Sequence, residues 1–278
     1  MKQKVGLFWI ALAATLWSVQ GVLGKANAWS PLTMTAVRAV FAALVIGIAR
    51  GSLRPSKERI NWIAAIFVAA TGLLFLSANS LTTAANAIVI QYMMPVFVIL
   101  TSWVIWRQKP TRVDIICSVI MLGGVALCFL SGISSGRLAG NLLAVLSAAS
   151  YAGVYLSSKA RRSDVLSYAY QGFLLSTLLL LTIPFDGTFV FTGRDLLSTA
   201  AMGVCVGLGY ICFAKGFSMN VNPVNASVIS YIEPVLNPLW VSLFIHEEIG
   251  SVAGIGIAVV LITALCYSII PKQTAKAD

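Results

Sequence analysis

The chain has 278 residues, of which 59% are hydrophobic and only 10% charged, with a mean hydropathy of +0.90. A soluble domain carries about 25% charged residues, so this composition excludes a water-soluble enzyme or binding module and makes lipid the main solvent. The net charge of +10 would suggest nucleic acid in a soluble protein. Here the basic residues sit at the ends of apolar runs, where the bias of membrane loops toward Lys and Arg accounts for them.

Residues 60–106 contain no Asp, Glu, Lys or Arg, enough for two crossings of about 20 residues each, with a polar break at SANSLTT, residues 77–83. In chain order the pattern predicts spans over 5–24, 31–49, 60–79, 84–106, 113–131, 139–158, 165–183, 196–214, 219–243 and 250–270. Helices suit them, because lipid offers backbone groups no partners. The runs are too long and too continuously apolar for outer-membrane strands. The first run lies near the N-terminus, but the chain keeps returning to the membrane, so a cleaved leader is the weaker reading. With the N-terminus inside, 15 Lys and Arg fall on the inner side and three, Lys25, Arg137 and Arg194, on the outer. That bias places both termini in the cytoplasm. Trp29, Trp62 and Trp106 lie near span ends, whereas Trp17 lies deeper. The five cysteines form no CxxC pair and sit in apolar stretches, which indicates buried thiols and no disulfide framework.

The sequence repeats itself. NAIVIQYMMPV at 86–96 matches NASVISYIEPV at 225–235, pairing Asn86 with Asn225, Tyr92 with Tyr231 and Pro95 with Pro234. ATLW at 14–17 lies over AASY at 148–151, and Lys25-Ala26 over Lys159-Ala160. Each half holds five spans. Five is odd, so the second half begins on the opposite side of the membrane. The expected fold is therefore an all-α integral membrane protein of ten transmembrane helices in a 5+5 inverted repeat, 1–138 and 139–278. Such repeats let one fold exchange outward-open and inward-open shapes.

Two motifs, ANSLTTAANA at 78–87 running on to PVF at 95–97 and SVISYIEPV at 227–235, together with Glu247 and Gly256, resemble the EamA-type family of the drug/metabolite transporter superfamily. The resemblance covers essentially the whole chain. It implies a ten-helix inner-membrane carrier with both termini inside, moving small metabolites, often amino acids or drugs, outward. The position that pairs with Glu247 in the first half is Gln108, so an acid there is dispensable or supplied by the second half alone.

Glu233 is a carboxylate inside an apolar span, which is expensive unless it faces protein or a water-filled cavity. It is a candidate for receiving an ammonium group or a coupling proton; a strut between helices is the alternative. Arg38, inside the second span, either snorkels outward or holds a substrate carboxylate with its planar fork. The two could form a zwitterion clamp or pair with each other. Trp17, Tyr151, Tyr92 and Tyr231 are aromatics at matched positions that line a pocket or pack a core. Asn86, Gln91 and Asn225 offer neutral hydrogen bonds to a ligand or between helices. Pro95, Pro234 and Pro238 are expected to bend helices beside a cavity. The glycines spaced four apart in GVCVGLG (203–209) and GSVAGIG (250–256) permit close helix contact and are not nucleotide loops. His246, Glu247 and Glu248 read as an interfacial cap rather than a metal site. No nucleophile–histidine pair, metal set or nucleotide motif appears, so the chain reads as a non-enzyme without cofactor, whose partners are the bilayer and a small metabolite. The expected state is a monomeric exporter working by alternating access. Uptake or exchange of a cationic or phosphorylated metabolite, and a non-transporting scaffold, are the rivals.

Overall fold

The computed structural model describes residues 2–25, 27–130, 133, 138–246 and 248–270. Arg137, Glu247, Lys272 and Lys276 lie outside the described residues, as does the Lys25 side chain. The described elements are all helical: α1 (Lys2–Ser18), α2 (Gln20–Lys25), α3 (Pro31–Ala49), α4 (Arg59–Leu81), α5 (Ala84–Gln91), α6 (Met94–Trp106), α7 (Arg112–Cys128), α8 (Leu138–Ser157), α9 (Val165–Ser176), α10 (Gly193–Ser218), α11 (Pro223–Ile229), α12 (Ile232–Ile245) and α13 (Ser251–Ile269). A 3₁₀ stretch, Thr177–Phe185, extends α9.

Nine of these helices or helix pairs are long and apolar enough to cross a membrane. The tenth, α7, has 17 residues and is about 25 Å long. It runs antiparallel to α13 from face to face: Tyr267, near the end of α13, hydrogen-bonds Asp114 in the first turn of α7, and Cys128, at the end of α7, reaches Ala253 at the start of α13. Each of the ten apolar runs expected from the sequence thus falls on a helix or a broken helix among the described residues. The ninth begins at Pro223 rather than 219, because Asn220 turns the chain with φ 60° and Asn222 caps the new helix with Pro223 in its first turn, where a missing N–H costs little.

Loop contacts sort the span ends onto two faces. On one, which carries Arg50, Arg54, Lys57, Arg107, Lys109, Lys159, Arg161 and Arg162 and is called the basic face below, the Asp164 N–H donates to Asn61 Oδ1 at 2.9 Å. The Tyr170 hydroxyl donates to the Leu53 carbonyl at 2.5 Å. The Lys159 ammonium lies 4.7 Å from the Trp106 ring centroid, a cation–π contact. On the far face, Asn27 donates to the Asp195 carbonyl, Ser198 and Thr199. The Ala28 N–H donates to Asp195 Oδ1, and Trp29 Nε1 donates to the Val190 carbonyl at 2.8 Å. Trp29 is thus buried under Phe189 and Phe191 instead of anchoring in lipid headgroups.

Three spans that look continuous in sequence are broken. α5 stops at Gln91 and α6 starts at Met94; α11 stops at Ile229 and α12 starts at Ile232. Both breaks precede a proline, Pro95 or Pro234, whose ring and missing N–H disrupt the turn before it. Pro238 lies within α12. The first span breaks between Ser18 and Gln20 without any proline.

Close packing uses small residues, as expected in lipid, where helices have no hydrophobic drive to associate. A Cβ built on Gly203 would lie 2.6 Å from the Arg38 carbonyl, and one on Gly207 would lie 2.7 Å from Val45 Cβ, so α10 presents this edge to α3. In the second glycine motif, Gly250 and Gly254 meet nothing; Gly256 makes the contact, against the Gly124 carbonyl of α7. α4 packs on α8 and α9, α10 packs on α1 and α3, α8 packs on α6, α1 packs on α12, α7 packs on α13 and α3 packs on α9.

On the far face, Asp186 accepts hydrogen bonds from Ser30 at 2.5 Å, Thr33 at 2.7 Å and Thr188 at 2.6 Å. These donors hold its carboxyl well below the usual carboxylate range. A depressed folded value gives stability that is present above the unfolded value of about 3.9 and is lost as pH falls toward the folded one. In detergent, the acid-side decline in melting temperature is therefore expected to be shallower for Asp186→Asn than for the native chain. Parallel declines would show that the clasp contributes nothing.

Candidate functional site

Between the two halves lies a cavity of about 430 Å³. Its walls run from the far-face ends of spans, at Gly24, Pro31 and Asn79, to mid-depth at Tyr151, Tyr210 and Glu233. Toward the basic face the protein is solid. The Tyr155 hydroxyl donates to Ser230 at 2.6 Å and that of Tyr168 to the Val154 carbonyl at 2.9 Å. Tyr155, Phe213 and Phe217 stack edge to face with centroids 4.9 and 4.7 Å apart. The structure is therefore open toward the far face and closed toward the basic face.

Glu233 forms the floor. It is in the first turn of α12, directly after the break, so the break sets its direction. The Tyr151 hydroxyl donates to Glu233 Oε2 at 3.1 Å, and Tyr92 hydrogen-bonds the same carboxylate. The two phenols come from α8 and from the α5–α6 break. They supply donors that lipid cannot.

Arg38 lines the far-face half of the same cavity. Its Nη1 donates to the Gln20 side-chain oxygen, and its buried Nε has no hydrogen-bond partner. Gln20 is available because the first span breaks just before it; its own amide nitrogen donates to the Trp17 carbonyl at 3.1 Å. The arginine does not bond to Glu233: both line the cavity, each held by neutral partners.

Aromatic rings fill the zone between. Trp17 donates through Nε1 to the Val206 carbonyl at 3.3 Å and lies 5.0 Å from the Tyr210 ring. Gly209 makes this approach possible, since a Cβ there would strike the indole. Gln91 lines the wall, donating to Ser147 at 2.8 Å, which in turn donates to the Thr71 carbonyl. Pro234 lines it as well.

Pro95 and Pro238 do not line the cavity, and three candidate binding residues also lie elsewhere. Asn86 is in the first turn at the far-face end of α5, its amide nitrogen 3.2 Å from Thr82 Oγ1 and its backbone N–H donating to Thr83 Oγ1, the cap of that helix. Asn225 faces α13, where its side-chain oxygen is 2.9 Å from the Tyr267 hydroxyl that also bonds Asp114. Tyr231 is fully buried and faces Tyr92, with ring centroids 6.3 Å apart. Conversely, Asn79, Tyr210 and Asn237 line the cavity and were not singled out in the sequence. His246, in the left-handed conformation, terminates α12; Arg107 terminates α6 in the same way. Among the described residues no group of three His, Cys, Asp or Glu could hold a metal ion.

The family model of EamA-like transporters matches the chain twice, over residues 4–130 and 138–269. The chain belongs to the EamA-like transporter family. It is thus a multi-pass membrane carrier of the drug/metabolite transporter superfamily and not an enzyme. It is similar to an uncharacterized transporter, YwfM, of Bacillus subtilis (strain 168), with 27% identity over an alignment of 295 residues that covers 100% of this chain and 98% of the relative. A solved crystal structure with 19% identity superposes with a TM-score of 0.79, covering 94% of this chain and 95% of that one; at that identity it speaks to the fold alone.

The transporter's cavity wall depends on one close approach. A Cβ on Gly21 would overlap the Asn237 side chain, so a larger residue there must push Asn237 aside into the cavity or move α2 from α12. Gly21→Leu is expected to cost about 1–3 kcal/mol, as overpacking does, read as a lowered melting temperature in detergent. An unchanged melting temperature would mean that the contact is not close in the membrane protein.

Proposed function

We propose that this protein is a secondary transporter that exports a small metabolite, an amino acid or related amphipathic compound, by alternating access. The observation that carries the reading is the central cavity, to which both halves contribute. It is closed on one face and holds an acid, a base and an aromatic wall. A membrane scaffold has no need for an arginine and a glutamate facing one space inside lipid.

The two halves act as inverted repeats, 1–138 and 139–278. The helix packing supports this. Exchanging the halves turns α4 on α8 into α10 on α1, α4 on α9 into α10 on α3, and α6 on α8 into α12 on α1; α7 with α13 and α3 with α9 exchange with themselves. The paired breaks before Pro95 and Pro234 and the paired left-handed helix ends at Arg107 and His246 fit the same relation. So do Asn61 and Asp195, each the third residue of its helix and each accepting a loop N–H from the opposite half. Exchange of the two shapes would open the basic face and close the far one, with the breaks at Pro95 and Pro234 as flexing points and Pro238 as a further bend.

The excess of Lys and Arg puts the basic face, and with it both termini, in the cytoplasm of an inner membrane. The cavity then opens outward in this conformation. The driving force is the solute gradient or a coupled ion, and Glu233 is the group placed to carry a coupling proton. A phosphorylated solute is disfavoured, since Arg38 is the cavity's one cation among the described residues.

The purified chain in liposomes is expected to release labelled amino acids from a mixed pool, and an imposed pH gradient should drive accumulation. Glu233→Gln should abolish the pH-driven accumulation while sparing exchange at equal concentrations. Absence of flux for every solute in the pool would contradict transport; accumulation unchanged by Glu233→Gln would remove the coupling role.

A further inference from the structure

Of the six buried side-chain polar atoms without a partner among the described residues, the two that line the cavity both lie at its mouth. Arg38 Nε is a buried donor without a partner, and Asn79 Oδ1 is a buried acceptor without one. Buried polar groups are nearly always paired in folded proteins, and each exception calls for an explanation. Both residues line the cavity, and they are complementary to two different groups: a carboxylate for the guanidinium and an ammonium for the amide oxygen. An α-amino acid carries both on one carbon. Its backbone therefore fits the mouth and leaves the side chain to point inward.

The floor is a third charged group at a different depth. Arg38 bonds Gln20, which lies at the far-face end of the span Lys2–Gly24. Asn79 is in the last turn of α4, at the same face. Glu233 bonds Tyr151, which lies in the basic-face half of α8. Side chains on helices lean toward their own N-termini. The N-terminus of α3 is at the far face and that of the α11–α12 span at the basic face, so the guanidinium and the carboxylate lean apart. An α-ammonium beside a carboxylate bound at Arg38 cannot also sit on Glu233. A cation several bonds further along can.

We infer, on the basis of the transport reading above, that the substrate is an α-amino acid with an aliphatic side chain ending in a cation. Its carboxylate binds Arg38, its α-ammonium binds Asn79 and its terminal ammonium binds Glu233. The stem crosses the ring zone at Trp17 and Tyr210, where an apolar chain with a cationic end gains from both contact and ring electrostatics. A carboxylate held only by two phenols in a low-dielectric site prefers a partner of opposite charge to none.

The test is exchange by the full chain in liposomes preloaded with labelled L-lysine. Unlabelled L-lysine or L-ornithine outside should drive label out. Norleucine, which lacks the terminal ammonium, and cadaverine, which lacks the carboxylate, should each do so at least about tenfold less effectively, because each leaves a buried charge unpaired. Glu233→Gln should erase the preference for lysine over norleucine, and Arg38→Gln that for lysine over cadaverine, each variant keeping its melting temperature in detergent. Norleucine equal to lysine in the native chain would overturn the inference while leaving transport standing. So would exchange of other amino acids with none of lysine. Failure of every amino acid to exchange would overturn both.

Discussion

A carboxylate at mid-depth in a membrane protein must be given hydrogen-bond donors by the protein, because the surrounding hydrocarbon has none. Glu233 receives them from Tyr151 and Tyr92, which belong to different spans in the second and first halves of the chain. Meeting that requirement organises much of the rest. The acid follows a break in its helix and lines the space between the halves, and Tyr92 sits on the matched break of the other half. The two breaks meet near the centre, with Tyr92 and Tyr231 ring to ring.

The same logic sets the balance between the two faces. Toward the basic face, the Tyr155 and Tyr168 hydroxyls are spent on protein partners, and Tyr155, Phe213 and Phe217 pack edge to face. Toward the far face, polar groups that could pair with each other stay apart: Arg38 takes only Gln20, and Asn79 takes nothing. Rings and hydroxyls close the basic-face side, and the cavity lies on the far-face side. A cavity on one side and solid packing on the other is the form expected of one member of a pair of exchanging shapes.

Much of the fold was legible because membrane physics is restrictive. Long apolar runs must be helices, and prolines at Pro95 and Pro234 announced breaks that the structure has. The break before Gln20 carries no such mark, nor does the change from α9 to a 3₁₀ turn at Thr177, and both were invisible in the sequence. At the site, charge gave the strongest signal. Glu233 and Arg38 stood out against an apolar background, and the repeat pointed to Trp17, Tyr151 and Tyr92 beside them. Repeat matching also pointed to Asn86, Asn225 and Tyr231, which do not line the cavity. A matched pair shares a position in its own half, but each member meets different neighbours: Asn225 meets Tyr267, which also bonds the carboxylate of Asp114, whereas Asn86 meets the threonines at its helix end. Asn79 was hidden in a stretch that reads as an ordinary polar boundary between spans, and Tyr210 in a glycine-rich run whose obvious meaning was helix packing.

The central claim is that the cavity seen here is one of two exchanging openings. Its most direct test is a pair of distances in the chain in lipid, measured by electron spin resonance between nitroxide labels. One pair, at Lys57 and Arg161, spans the basic face; the other, at Ser80 and Thr188, spans the far face. The account predicts two populations for each pair and opposite shifts on addition of a transported solute, one distance growing as the other shrinks. A single, solute-independent distance at both faces would contradict it.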